Sequence, residues 1–371
     1  MEMKPHVPPP PPPPRPTSWA NPAEPKDDMQ QSPVFMVGQS PSKTSAERVQ
    51  EAKIMFLQKF QDRAMGQEEI IYYESDQGWL AALGKSPVEL IGEYEASGLI
   101  QQLNTKDHLG FLMNALLTVA ALKEGLASAG CKKTGIKTEL IERLIEANRE
   151  GVIKLLPSGV RWGVTEKGAE MVTAYRAKKK EVKERLEDEL LDLVSNKNYL
   201  QASTRRAEYN ARQVFSPGLG CSWDNWDTSR DVRILQIISG LTPEALSCRL
   251  TKALRPARLM AALSYLMGSR LSSRLNDLIL RHCNDSDEVL QSAPVHDDAR
   301  LLEAFAIGKA NIDEWKTSSV SRFVRILDAG DDSCPACRAH SKKKYKIDEV
   351  PELPIKACTS PIGCRCCYVP A

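Results

Sequence analysis

The residues with the clearest capacity for chemistry are cysteines. Six of the ten cysteines in this chain of 371 residues crowd toward its end: Cys334, Cys337, Cys358, Cys364, Cys366 and Cys367. The other four, Cys131, Cys221, Cys248 and Cys283, are scattered through helical text. Cys334-x2-Cys337 is a knuckle, two thiols on a tight turn that can share one tetrahedral ion. Two distal cysteines complete a site of four thiolate ligands: Cys358 with either Cys364 or Cys366, leaving Cys367 as the spare. Four protein ligands leave no open position, so the ion would be a structural zinc. A disulfide pair and an iron–sulfur cluster are the competing readings. The segment between the pairs is short and charged and cannot build its own apolar core, so a metal would substitute for one. In a reducing compartment such clustering favours metal over disulfides. His340 stands beside lysines and reads as solvated.

A second group lies in "GCKKTGIKTELIERLIE", residues 130–146. Before it, Val119, Leu122, Leu126 and Ala129 form one apolar stripe at helical spacing, with Thr118 as cap and Gly130 as a left-handed stop. After it, Ile136, Leu140, Ile141, Leu144 and Ile145 share one face, with Glu139, Glu142 and Glu146 opposite. Thr134 is placed to cap this second helix, and Gly135 to open it. Lys132, Lys133 and Lys137 surround the helix start, where unpaired backbone N–H groups and a partial positive charge suit a phosphate.

That stretch resembles the SAP motif, a helix–link–helix module of chromatin, repair and phage-associated proteins. Leu122, Leu126, Gly135-Ile136-Lys137 and Leu140-Ile141-Glu142-Arg143-Leu144 carry the likeness. The resemblance implies binding to double-stranded DNA through Lys132, Lys133, Thr134, Gly135, Lys137, Thr138 and Arg143. Few phosphates would be touched, giving weak, salt-sensitive affinity of roughly 10⁻⁴ to 10⁻⁶ M. Arg161 and Trp162, or the "RAKKK" run at 176–180, could add contacts, although that run also reads as a solvated helix face. The knuckle, the "PELP" at 351–354 and the closing "CRC" resemble the tail of Mu F-like minor head proteins of tailed phages. The histidine often found before the final pair there is replaced here by Cys358 and an insertion. This second resemblance implies a phage or prophage origin, with other phage or chromosomal proteins as partners and association with the virion.

The formal net charge is only +2, so any nucleic-acid contact must be local. No apolar run is long enough for a membrane span and no signal-peptide core opens the chain, which points to the cytoplasm. No Gly-rich phosphate loop, nucleophile elbow or HExxH is present, so the reading is non-enzymatic. "GLGCSWDNWD" (218–227) reads as a capped loop with tryptophan anchors, although Cys221, Asp224 and Asp227 suggest a nucleophile or carboxylate pair. His282 reads as a cation at a helix C-terminus.

The elements that must position these groups are mainly helical, in a multidomain chain. Residues 1–50, with prolines from Pro8 to Pro14, read as a disordered tail in which polyproline II serves as spacer or as ligand for a proline-recognition module. Residues 51–180 form the helical domain carrying the SAP-like corner. Ser86, Pro87 and Gly98 bound one of its helices. "ELIGEYEASGLIQQL" and "ELIERLIEANREGVIKLL" read as similar helices, each leading into an extended piece. "VIKLL" and "VRWGV" around Pro157-Ser158-Gly159 then predict a short β-hairpin, and helix–helix–hairpin–helix resembles a winged helix. Thr165 caps a long charged helix that bridges modules. Residues 181–330 form a second helical domain whose last helices include "SRFVRIL", and residues 331–371 form a Cys-rich, zinc-ribbon-like module.

Overall fold

The computed structural model describes residues 45–215, 226–247, 254–268, 271–283, 294–318, 321–330, 333–360 and 364–371. The proline run, Cys221, Asp224 and Cys248 lie outside them. The described residues form fifteen helices and two small antiparallel sheets. The first helix, α1 (Ser45–Asp62), begins inside the stretch expected to be a tail.

In the N-terminal half, α1 is followed by β1 (Met65–Gly66), α2 (Gln67–Ser75), α3 (Gln77–Leu83), α4 (Pro87–Ala96) and β2 (Ile100–Gln102). Aromatic rings fill their shared core. Phe56 has the rings of Phe60 and Tyr73 at 5.5 Å and that of Trp79 at 5.6 Å, mostly edge to face, as ring quadrupoles prefer. Ser86 caps α4 by accepting from the Val88 amide, Pro87 opens the helix, and Gly98 at φ 69° closes it, as its sequence signals predict. The chain then enters β2, so this helix does lead into an extended piece.

A second small core lies under α5 (Leu109–Leu116), α6 (Val119–Ser128) and α7 (Lys137–Leu155). Here the expected hairpin is absent. "VIKLL" is helical, because α7 breaks at Asn148 (φ −158°, ψ 66°) and starts again, with Asn148 Oδ1 accepting from the Gly151 amide at 2.9 Å. Val152 and Leu156, four apart, then bury together against the core. The apolar run alone did not distinguish strand from helix; a side-chain cap did. Beyond the turn, β3 (Arg161–Val164) is the centre of a sheet ordered β1-β3-β2. Its partners come from 65–66 and 100–102, so the winged-helix order is not formed.

The 30-residue α8 (Glu166–Ser195) starts at Thr165, whose hydroxyl accepts from the Gly168 amide. Gly168 is required here: a Cβ would lie 2.2 Å from the Leu99 carbonyl oxygen. Val172 sits in the aromatic core, while Leu186, Leu190, Leu191 and Val194 belong to the C-terminal core. One helix therefore anchors both. Its charged face carries the i,i+4 pairs Arg185–Glu181, Lys183–Glu187 and Lys180–Glu184.

The C-terminal core is built by α8, α9 (Tyr199–Ala211), α10 (Thr228–Gly240), α11 (Glu244–Ser247), α12 (Leu254–Met267), α13 (Ser273–Cys283) and α14 (Pro294–Ser318). Residues 323–327, expected to be helical, are instead β4 (Phe323–Leu327), with alternating burial typical of a one-sided strand. It is the central strand between β5 (Lys344–Lys346) and β6 (Cys367–Pro370), with α15 (Pro335–Ser341) alongside. The residues that make it a strand, 344–346 and 367–370, lie far downstream, beyond the reach of a local pattern.

One polar node ties three helices of this core. Asp231 of α10 is fully buried. Its carboxylate accepts from Ser203 Oγ at 2.6 Å, Trp226 Nε1 at 2.8 Å and Tyr265 at 2.5 Å, and pairs with Arg206 at 3.2 Å. The guanidinium lies 5.3 Å from the ring centroids of both Trp226 and Tyr265. Burial, first, and then the Asp231 charge push the Tyr265 phenol up from its ordinary value. Asp227 caps α10 by accepting from the Ser229 amide, the role its loop predicts, and Trp226 is an anchor. Removing one partner of a buried pair typically costs about 3–5 kcal/mol. Asp231→Ala should therefore lower unfolding free energy by that order in urea titration, and a change under about 1 kcal/mol would show the node to be dispensable.

Candidate nucleic-acid interface and metal centre

The helix–link–helix corner is formed by α6 and α7. Thr118 caps α6 by accepting from the Ala121 amide at 3.2 Å. Gly130, at φ 70°, ends it, and the Cys131 and Gly130 amides donate back to the carbonyls of Leu126 and Ala127. Leu122 and Leu126 are buried against Leu140, Ile141 and Leu144. The apolar stripe is narrower than its spacing predicts, since Val119 is exposed and Ala129 half-buried. Ile136 departs furthest: it is 67% exposed, because it lies ahead of the helix and not on its buried face.

The start of α7 also differs from the expected cap. Ile136, not Thr134, occupies the cap position, and no side chain there accepts from the first turn. Gly135 is outside the helix at φ 135°, a conformation that favours glycine. Glu139 does not stay on the far face. Its carboxylate folds back and accepts from the Ile136 amide at 3.3 Å, and a Cβ at position 135 would meet it at 2.4 Å. Lys137, expected to reach outward, donates to the Asn114 carbonyl on α5 at 2.6 Å. Arg143 turns inward and donates to the carbonyls of Lys132 at 2.6 Å and Thr134 at 3.1 Å.

Lys132, Lys133, Thr134, Gly135 and Thr138 are exposed as predicted. The two lysine side chains have no ion pair or hydrogen bond among the described residues. Arg143 and Lys137 thus hold the link, and Lys132 and Lys133 are its outward cations. The proposed helpers are occupied. Arg161 pairs with Glu69 and reaches the Ala64 carbonyl, and Trp162 donates to Glu95 at 2.8 Å. In "RAKKK", Arg176 pairs with Asp62 and Lys179 with Glu51 at 2.8 Å. Both assignments turn on carboxylates far away in sequence.

At the other end of the chain, five cysteines converge. Cys334 precedes α15, Pro335 opens that helix, and Cys337 lies one turn along. Cys358, Cys364 and Cys366 come from the returning segment. Two overlapping groups result, Cys334–Cys337–Cys358 and Cys337–Cys364–Cys366, and within each the sulfurs lie within 4.8 Å of one another. Sγ–Sγ separations are 3.8 Å for Cys334–Cys358, 3.7 Å for Cys337–Cys358 and 3.8 Å for Cys337–Cys364. These are thiols, too far apart for disulfide bonds. Cys367 is exposed on β6, outside the cluster, as expected of the spare. His340 is also outside: its Nδ1 lies 2.7 Å from the Tyr345 hydroxyl and the two rings stack. This cluster could hold a metal ion such as zinc.

The returning segment is positioned by Tyr368. Its hydroxyl donates to the Pro351 carbonyl and accepts from the Leu353 amide, each at 2.9 Å. Its ring packs against α14 at Gly308, where a Cβ would lie 3.0 Å from the ring. Burial pushes the Tyr368 phenol up to about 12, keeping it a donor. Among the thiols, a hydrogen bond from Cys366 is the main cause bringing Cys364 down to about 5, while burial opposes it. At Cys334, burial raises the thiol, but the amides of Cys337 and Thr359 outweigh it and bring the group down to about 6. Donation to Cys364, then burial, pushes Cys366 up. Burial, the largest cause in each case, also pushes the Cys337 and Cys358 thiols up, so lowered and raised thiols sit side by side in the cluster.

Comparison with known proteins finds no matching family model, no matching characterised protein and no matching solved structure. No described helix is long and apolar enough to cross a membrane.

Two features of this region escaped the sequence reading. Arg143 as the clamp of the link is signalled only by carbonyls 11 and 9 positions upstream, which no local pattern exposes. Tyr368 lies directly beside the cysteines, yet its clamp role depends on Pro351, Leu353 and Gly308. Arg143→Ala should release two carbonyls and speed amide exchange across Lys132–Ile136, read by hydrogen–deuterium exchange, with α12 unchanged. Unaltered exchange in the link would remove Arg143 as its clamp.

Proposed function

We propose that this protein binds double-stranded DNA through its α6–α7 corner and carries one structural zinc ion in its C-terminal cysteine cluster. The observation that carries the DNA reading is the exposed Lys132-Lys133-Thr134 link, whose carbonyls are drawn inward by Arg143 while both ammonium groups face water. Lysine ammonium groups and an uncapped helix start suit phosphate oxygens. The resemblance to SAP modules supports the same surface. Thr134 and Thr138 add hydroxyl donors, Gly135 permits close approach, and Lys137 and Arg143 hold the geometry.

Glu139 sets the limit on affinity. Its carboxylate occupies the Ile136 amide that a phosphate would otherwise take. The contact is therefore confined to a few phosphates, with affinity that falls with salt and carries little base information.

The zinc reading rests on sulfur geometry. Zn–S bonds of about 2.3 Å in a tetrahedron place sulfurs about 3.8 Å apart. Three separations, Cys334–Cys358, Cys337–Cys358 and Cys337–Cys364, match that edge, and the two trios of cysteines meet at Cys337. Cys366 then serves as a thiol donor beside Cys364.

Gel-shift titration with a short duplex at about 50 and about 200 mM salt tests the first reading. Binding should weaken at the higher salt, the double variant K132E/K133E should lose at least tenfold, and Glu139→Gln should gain severalfold. Unchanged binding in K132E/K133E would instead favour a structural or head-assembly role of a phage protein, acting mainly through protein–protein contacts with the corner as scaffold. Elemental analysis tests the second reading. One zinc per chain is expected, retained in Cys367→Ser and lost in Cys337→Ser; a metal-free chain would refute it.

A further inference from the structure

The C-terminal helical core carries a cavity that neither the corner nor the cysteine cluster uses. It lies where the end of α8 meets α10, α12 and α13, and has a volume of about 470 Å³. That is within the range of small-molecule sites. Leu235 and Leu259 are among the apolar side chains of its wall. Lys197, Arg255 and Arg258 also line it, and among the described residues no carboxylate does.

Three further facts make this asymmetry chemical. Arg258 is half-buried, and its one hydrogen bond among the described residues is to Thr242 Oγ1 at 3.1 Å. Burial pushes its pKa down, the mark of a cation without a compensating charge. Its Nε, and the hydroxyl of Ser195 on the same wall, are buried without hydrogen-bond partners. Arg48, Arg161, Arg206 and Arg212 also carry a buried, unpartnered Nε, so what sets this wall apart is its three cations without a carboxylate.

The end of α8 would normally repel an anion through its unpaired carbonyls. Here those carbonyls are engaged. The Lys197 amide donates to Val194 and the Asn198 amide to Leu193, with Lys197 itself at φ 60°. The rim is thereby left to the cationic side chains.

We propose that this cavity binds a small amphiphilic anion: an apolar body against the leucines and an oxyanion head, carboxylate or phosphate ester, on the Arg258 guanidinium and the flanking Lys197 and Arg255. The head would neutralise the half-buried guanidinium. The apolar wall would select ligands with a tail over free inorganic ions.

The test uses the full chain and 8-anilinonaphthalene-1-sulfonate, whose fluorescence reports entry into an apolar site. Octanoate and octyl phosphate serve as competitors, with 1-octanol and inorganic phosphate as controls. Saturable binding should be displaced by octanoate or octyl phosphate at least tenfold more effectively than by either control. The stronger of the two identifies the head group. Arg258→Gln should weaken displacement at least tenfold, and the exposed Arg255→Gln severalfold, whereas Lys309→Gln on α14 should behave as the parent. Should Arg258→Gln fail to fold by circular dichroism, Arg255→Gln decides alone. Equal competition by octanol, absence of saturable binding, or parental behaviour of a folded Arg258→Gln together with Arg255→Gln would overturn the proposal.

Discussion

Five thiols gathered in the wall of an apolar core, as two trios that share Cys337, are the constraint around which the C-terminal half is arranged. At 3.7–3.8 Å these sulfurs are in direct contact without a bond between them. Cys334, Cys337, Cys364 and Cys366 belong to the same cluster as Leu263, Leu302 and Phe305. The knuckle, the returning segment and the helices must therefore assemble together. Tyr368 and Gly308 show how: the ring seats on α14 while the hydroxyl holds both ends of the Pro351–Leu353 turn. A zinc ion at this point would close the loop between Cys337 and Cys358, replacing core that the charged segment cannot supply.

The corner at α6–α7 is organised on the opposite principle. Its apolar contact is small, a few leucines and one isoleucine, and polar clamps hold the rest. Arg143 and Lys137 direct their charges at backbone carbonyls, Glu139 directs its own at an amide, and only Lys132 and Lys133 remain outward. A link built this way is shaped by its own cations. That explains why, of four basic groups in the stretch, only two face outward.

α8 joins these regimes. Gly168 lets its start lie on the Leu99 backbone, and its last turns pack in the C-terminal core. Three cations line the cavity at its end and no described carboxylate does, whereas Arg176, Lys179, Lys180, Lys183 and Arg185 on its flank find carboxylates. The same residue types are thus paired in one place and left without an acid in another, according to what the fold brings within reach.

The sequence by itself determined the helical class, the caps at Ser86, Thr118 and Thr165, the stops at Gly98 and Gly130, and the convergence of cysteines with Cys367 left out. These follow from chemistry within a few residues: a hydroxyl and an amide two or three positions on, a glycine where φ is positive, a Cys-x2-Cys turn. Tertiary structure decided the rest. Residues 151–155 are helix because Asn148 caps them, and 323–327 is a strand because 344–346 and 367–370 come to pair with it. Arg161, Trp162 and Lys137 turned inward because Glu69, Glu95 and the Asn114 carbonyl, distant in sequence, lie beside them in the fold. A charged or apolar side chain advertises what it can bond, but only the folded chain settles which partner is within about 3 Å.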